Sequence, residues 1–512
     1  MRIKRLAWNT ISSFVFQLTT IICGFVLPRL ILKSFGSEVN GLVNSITQFL
    51  QIIAFLDLGV GAVVKSSLYK PLADKDNITL SKITASAEKF FRRIAKILLI
   101  YIVILIFLYP LIVNQDFGFV YTATLILAIS ISLFAQYYFG VVNQLILLAD
   151  QRGYIQYNFQ TITVILNTVA CILLIKLGAG IQIVKLTTSL IFVSRPIYLF
   201  WYVNKHYNID RKISYEGEPI KQKWNGLAQH IAAVVLDSTD TVVLSLFSSL
   251  SNVSIYSVYF LVIHGVKQLF TSMTNGIQSL IGELWAKQEL DELNKTFEWT
   301  EWLIHTGATF VFGCTGMLIV PFIQVYTKGV TDINYIVPLF AALLTMAHSL
   351  HCLRFPYNII ILACGHYKET QENYIIAVIL NIVLSVVTVR KWGLVGVALG
   401  TLVAMAYQTI WMAIYISKNL IKWPLMTFIK QLTVDIITVL IGVILTGWIK
   451  IGDYNYFAWF ILAVKTAILW SLLILIINFV CYREKIFRLF TTIFYKTNKF
   501  ICKDNMKKTN IS

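Results

Sequence analysis

Charge is what this sequence has least of, and acidic charge is scarcer than basic. Only 13% of its 512 residues are Asp, Glu, Lys or Arg, while 57% are hydrophobic and the mean hydropathy is +0.72. A soluble domain carries roughly 25% charged residues, so a water-soluble globular protein is excluded. Metal-ligand and redox patterns are missing as well. The seven cysteines show no CxxC spacing, and those at 23, 171, 314, 352 and 364 lie in or beside apolar runs, where they read as small packing residues. No Walker motif, Rossmann fingerprint, HExxH or nucleophile elbow is present, so neither ATP-driven transport nor an enzyme is expected, and no cofactor is implied. The basic start "MRIKRLAWNT" resembles a signal peptide, but the apolar run from Ile11 to Leu32 is too long and lacks a small-residue cleavage site. It reads as a spanning helix.

What the sequence has is a series of apolar stretches of about 20 residues, enough to cross hydrocarbon as helices. Their length argues against a β-barrel, whose strands alternate over about 10 residues. The pattern predicts an all-α polytopic membrane protein of about fourteen transmembrane helices. The first are expected over 8–32, 41–67, 94–113 and 119–148; the seventh and eighth over 225–250 and 254–283; the tenth over 333–363. The net charge of +18 is concentrated at the N-terminus, in 68–93, 205–223 and 418–430, and after Tyr482. Those segments share one side if the first helix runs outward, which is the positive-inside bias. Both termini are then cytoplasmic, anionic lipids are the expected partners of the charge, and nucleic acid is not. The outward connections, such as "KSFGSEVNG", "NQDFG" and "TKGVTD", are short and leave no room for an external catalytic domain.

Trp8-Asn9 and Trp224-Asn225, the ends "NQLILLADQRGY" and "NIIILACGHY", and Gly178 and Gly393 recur at nearly one interval. They divide the chain into a six-helix lobe (1–204), a cytoplasmic linker (205–224), a second six-helix lobe (225–417), two added helices (418–480) and a basic tail (481–512). An even helix number per lobe relates the lobes by a pseudo-two-fold along the membrane normal, with a pathway between them. The first, second, seventh and eighth helices are the expected lining.

Ionisable side chains inside spans are costly and require a reason. Arg29 follows Pro28 in the first helix. Asp57 and Lys65 flank Gly59 and Gly61 in the second. Asp237 and Asp240 share a face of the seventh, and two carboxylates without an adjacent cation require water, a bound cation or protonation. His264 and Lys267 lie mid-span in the eighth, while Arg195-Pro196 and Arg354 with Pro356 each stand well inside a helix. Interfacial snorkelling or helix packing competes with a cavity role for Arg29, Lys65, Arg195 and Arg354. The cations are candidate anion ligands and Asp57, Asp237 and Asp240 candidate coupling-ion or cavity carboxylates. "GLVGVALGTL" (393–402) spaces glycines for close helix packing.

The segments "DLGVGAVVKSSLYKPLADKD", "SRPIYLFWYVNKHYNID", "WNGLAQHIAAVVLDSTDTVVLSLFSSLSNVSIYSVY", "GELWAKQELDELNKTF" and "RFPYNIIILACGHYKETQENY" resemble bacterial polysaccharide-biosynthesis membrane proteins. These are the O-antigen and capsule repeat-unit flippases of the multidrug/oligosaccharidyl-lipid/polysaccharide exporter superfamily; the lipid II flippase branch is similar but less close. The resemblance implies fourteen helices in two lobes around a central cavity. It also implies alternating access and inner-to-outer-leaflet movement of an undecaprenyl-diphosphate-linked oligosaccharide, driven by an ion gradient. Working partners would be a polysaccharide polymerase and glycosyltransferases. By position, Arg29, Asp57, Asp240 and Lys267 fall where this family places charged cavity residues. A multidrug/cation antiporter of the same superfamily is the alternative, disfavoured by cationic lining; a membrane polysaccharide polymerase would need a long outward loop.

Overall fold

The computed structural model describes residues 2–53, 60–113, 117–217, 219–220, 227–366, 368–421, 423–449 and 452–488. Among them every regular element is helical: α1 (Arg2–Gln51), α2 (Val60–Asp74), α3 (Asn77–Ile112), α4 (Phe119–Ala135), α5 (Val141–Ala149), α6 (Gly153–Lys176), α7 (Ile181–His206), α8 (Leu227–Phe247), α9 (Leu250–Ala286), α10 (Leu290–Tyr326), α11 (Pro338–Leu353), α12 (Phe355–Ala363), α13 (Gln371–Trp392), α14 (Leu394–Asn419), α15 (Leu425–Thr446) and α16 (Tyr456–Cys481). Among the described residues, eleven helical stretches are long and apolar enough to cross a membrane.

Their faces are inverted relative to a soluble protein. On α16, Phe460, Ile468, Leu472 and Ile476 are exposed, whereas Thr466, Trp470 and Asn478 are buried; Asn167, Asn381 and Gln408 are also buried. Exposed apolar surface on this scale is incompatible with water, and interior polar groups are what holds helices together in lipid. The chain is an all-helical polytopic membrane protein.

Several boundaries depart from the sequence expectation. Gly36 (φ 84°, ψ 175°) parts α1 into two helices between the expected first and second spans, so the second of them begins directly after Gly36 rather than at 41. The third helix starts at Asn77 rather than near 94, because Asp76 caps it by accepting from the Ile78 and Thr79 amides. Hydrogen bonds from Thr79 hold the Asp76 carboxyl below its ordinary pKa. Residues 77–93 are too polar to read as a span, yet they extend it. Between α4 and α5 the helix continues through one widened turn, with the Val141 amide reaching back to Gln136. The helix expected over 333–363 is parted at Arg354 into α11 and α12.

The chain forms two compact units interleaved in sequence. One comprises residues up to Leu269, Tyr326–Leu350 and Gly365–Trp411; the other comprises Phe270–Val325, His351–Cys364 and the chain from Met412 on. In the first unit, the glycines of 393–402 bring α14 against α13: Gly396 lies on the Thr388 backbone and Gly400 on Ser385. In the second, the fully buried Trp470 ring lies against Gly313 of α10 and Gly442 of α15, where no Cβ could be accommodated. Gly442→Val is expected to cost about 1–3 kcal/mol by overpacking, read as a lowered thermal midpoint of the detergent-solubilised protein. Gly24→Ala, where a Cβ meets nothing within 4 Å, should leave the midpoint unchanged.

Candidate functional site

The break at Gly36 leaves the second part of α1 with a fresh N-terminus, whose unpaired amides and positive dipole end call for an acceptor. A carboxylate from far along the chain supplies it. Asp332, in the connection between α10 and α11, accepts from the Ser37 amide (2.6 Å) through Oδ2 and from the Ser37 hydroxyl (2.8 Å) through Oδ1. From there a chain of hydrogen bonds runs inward. Asn40 donates to Ser254 on α9 (2.8 Å), Ser254 and the Tyr335 hydroxyl are 2.8 Å apart, and Tyr335 donates to Ser37 (2.7 Å). Because Tyr335 spends its proton on Ser37, Ser254 must donate to Tyr335, and every donor in the series points toward Asp332. Burial raises the Tyr335 phenol to about 12, so it stays protonated near neutrality and the direction is fixed.

A second, shorter chain lies about two turns further along α1. Tyr109 of α3 donates to Ser45 (2.7 Å), Ser45 to Ser245 of α8 (2.6 Å), and Ser245 to the Thr241 carbonyl (2.7 Å). Asn44 adds a bond to Ser257 (3.3 Å). Residues 37, 40, 44 and 45 form one stripe on the helix. Between them Gly41 lies directly against the Leu250 carbonyl at the start of α9, so the backbones meet without an intervening side chain. Ser37, Asn40, Ser45 and Ser254 are all buried. The result is a dry seam of small polar groups joining α1 to α8, α9 and the 327–337 connection. Neutral hydrogen bonds of this type contribute about 0.5–1.5 kcal/mol each, enough to hold such a seam and few enough to separate it.

The charged residues singled out in the sequence are placed as follows. In the first unit, Arg29 is half-buried on α1, Lys65 half-buried on α2, and Lys267 half-buried on α9; His264 is exposed on α9 with its ring 5.8 Å from that of Phe260. Asp240 is buried on α8 and ties four helices together. It accepts from Thr401 of α14 (2.8 and 2.7 Å to its two oxygens), from Tyr256 of α9 (3.1 Å) and from Asn381 of α13 (3.4 Å). Arg195 joins α7 to α6, its Nε donating to Thr163 (2.6 Å) and its guanidinium stacked 3.9 Å over Phe192. Arg354 is buried in the second unit, 2.9 Å from His351 at the α11–α12 break. Asp57 and the Asp237 side chain lie outside the described residues.

A buried ionisable cluster in the second unit was not anticipated. His305 Nδ1 is 2.6 Å from Asp435, which also accepts from Thr309 (2.8 Å). His305 Nε2 is 3.2 Å from the Tyr357 hydroxyl, which donates to Glu301 (2.7 Å), and Trp423 donates to the other Glu301 oxygen (3.1 Å). His305 therefore bridges Asp435 on one side and, through Tyr357, Glu301 on the other. Glu301 and His305 are four apart in "EWLIH", a spacing that places them on one face and was legible; Asp435 was not.

The sequence matches no family model and no curated protein. Solved structures do match. The lipid II flippase MurJ, in an inward closed conformation, aligns over 93% of this chain and 99% of its own with a TM-score of 0.70 at 17% identity. A multidrug resistance MATE family transporter of the MOP superfamily aligns in an inward-facing conformation over 80% of this chain and 98% of its own (TM-score 0.59, 15% identity), and in an outward-facing one over 81% and 96% (TM-score 0.56, 15% identity). The fold is MurJ-like and MATE-like.

Asp332 is the terminal acceptor of the first chain. Asp332→Ala is expected to destabilise the protein by about 0.5–2 kcal/mol, the usual loss on deleting a helix cap, and to speed hydrogen exchange at the Ser37 amide. Asp332→Asn, which keeps one acceptor oxygen, should fall between. Unchanged exchange at Ser37 in Asp332→Ala would show that the carboxylate does not close this end.

Proposed function

We propose that the protein is a flippase that carries undecaprenyl-diphosphate-linked oligosaccharide repeat units from the inner to the outer leaflet of the bacterial cytoplasmic membrane by alternating access. The observation that carries this reading is the polar seam. It joins the two halves of the sequence, which we take as lobes 1–204 and 225–417 with 418–480 added, through bonds that can be exchanged for water at small cost. With both termini cytoplasmic, the seam begins at the outward break at Gly36 within α1 and closes that side while the cargo enters from inside. A carrier needs two states of similar energy, and a seam of neutral hydrogen bonds supplies a closure that opens without unmaking a packed core.

The cargo class follows from chemistry and resemblance together. A diphosphate bearing sugars does not cross hydrocarbon unaided, since desolvating ionised groups costs tens of kcal/mol by Born estimates. Cations in a wet cleft lower that barrier. Arg29 on α1 and Lys267 on α9 lie on the helices that form the seam, and we assign them the diphosphate, with Lys65, His264, Arg195 and Arg354 as further candidates. Asp57, Asp237 and Asp240 are the candidates for ion coupling. The MurJ alignment takes in more of the chain than the MATE alignments, which favours a lipid-linked cargo over a drug.

Arg29→Ala and Lys267→Ala are each expected to leave lipid-linked repeat units on the cytoplasmic leaflet and to reduce surface polysaccharide by about tenfold or more, one lost charge-assisted contact being worth about 1.5–3 kcal/mol. The measurement is leaflet-specific labelling of the lipid-linked oligosaccharide together with surface polysaccharide, at matched protein levels. Normal polysaccharide in both variants would remove these residues from the pathway, and efflux of cationic drugs by the intact protein would favour the antiporter.

A further inference from the structure

The polar opening of α3 has a use beyond lengthening the helix. Lys89, Arg92, Arg93 and Lys96 of α3 and Arg211 and Lys212 of the segment after α7 line a single cavity of about 690 Å³ in the first unit. One carboxylate, the nearly buried Glu88, stands among these six cations. It pairs with Arg92 (3.1 Å) and with Arg211. The nearby Asp210 instead accepts the backbone amide of Lys212 (2.9 Å). Lys89, Arg93, Lys96 and Lys212 form no ion pair among the described residues.

The two paired guanidiniums are fixed in place. Arg211 donates through Nε to Asn204 (2.9 Å) and through Nη2 to Asn143 (2.7 Å), and lies 4.6 Å over the Phe200 ring. Arg92 stacks 5.4 Å over Tyr138, and its Nε is buried without an acceptor. Fixed in this way, the two guanidiniums add positive charge to the lining, and the unpaired Lys89, Arg93, Lys96 and Lys212 are left to bind phosphate oxygens. The cavity volume is within the range of small-ligand sites, about 300–1,000 Å³.

Its depth identifies the source of the anion. Immediately after Lys96, α3 turns apolar, and Ile97, Leu99, Ile100 and Ile104 are exposed. In a spanning helix that transition marks the level of lipid head groups. We propose that this cavity is a binding site for the phosphate of an anionic lipid, with the head group held among Lys89, Arg93, Lys96 and Lys212 and the acyl chains lying along Ile97 and Ile100. The site is independent of the transport reading.

The test uses the full-length protein in neutral detergent, with phosphatidylglycerol, phosphatidylcholine and soluble pyrophosphate as probes and native mass spectrometry as readout. Wild type should retain one phosphatidylglycerol in preference to phosphatidylcholine. Lys89→Gln/Lys96→Gln, at two exposed positions, should lose about 25-fold of that preference, since each lysine near a membrane surface contributes about a factor of five. Lys176→Gln/Lys391→Gln, with the same charge change at exposed helix ends, should keep it. Equal losses in both double variants would reduce the site to diffuse surface charge and overturn the proposal. Pyrophosphate bound one to one without lipid preference would overturn its lipid source.

Discussion

A series of hydrogen bonds that all point one way, from Asn40 through Ser254, Tyr335 and Ser37 to Asp332, is the constraint on which the account rests. Each member is a neutral group in a dry contact except the last, a carboxylate at the exposed end. In surroundings of low dielectric, such a chain polarises in one sense and leaving any member unpaired is costly. The seam is therefore specific in register while remaining modest in total strength. Apolar packing cannot provide this combination between helices in lipid, because the lipid tails are as apolar as the side chains they would replace.

The same economy governs the charged groups. Asp240 is placed inside a helix bundle by three neutral donors from three other helices, and Arg195 by a threonine and an aromatic face. The cations along the first polar turns of α3 are instead gathered around one carboxylate in a cavity. Inside the membrane, ionisable groups are met by neutral donors from facing helices or, around His305, by one another. At its edge they accumulate, because solvent and anionic head groups can share the cost.

Fold class was legible because span length and apolar content are local properties. Helix ends were less so. The start of α3 depends on an Asp76 cap ahead of a polar stretch, and the break within α1 depends on a single glycine whose positive φ turns the chain where Asp332 covers the new terminus. The intramembrane carboxylate Asp240 could be singled out from its cost alone, but its partners Thr401 and Asn381 lie in distant helices and nothing in their local sequence points to it. The seam residues were passed over for a related reason. Serine and asparagine in an apolar helix carry no signal until the facing helix is known. The basic segments around 68–93 and 205–223 explained topology as charge, and only the fold brings part of each into one cavity.

The measurement that bears most directly on the seam as a closure is a reversible cross-link. Ser45 and Ser245 are 2.6 Å apart, so Ser45→Cys/Ser245→Cys, with the native cysteines replaced, is positioned to form a disulfide across α1 and α8. Translocation of the lipid-linked oligosaccharide, measured in reconstituted vesicles, should stop on oxidation and return on reduction. Full activity in the oxidised, cross-linked protein would mean that the seam never opens, and the account of it as a gate would be wrong.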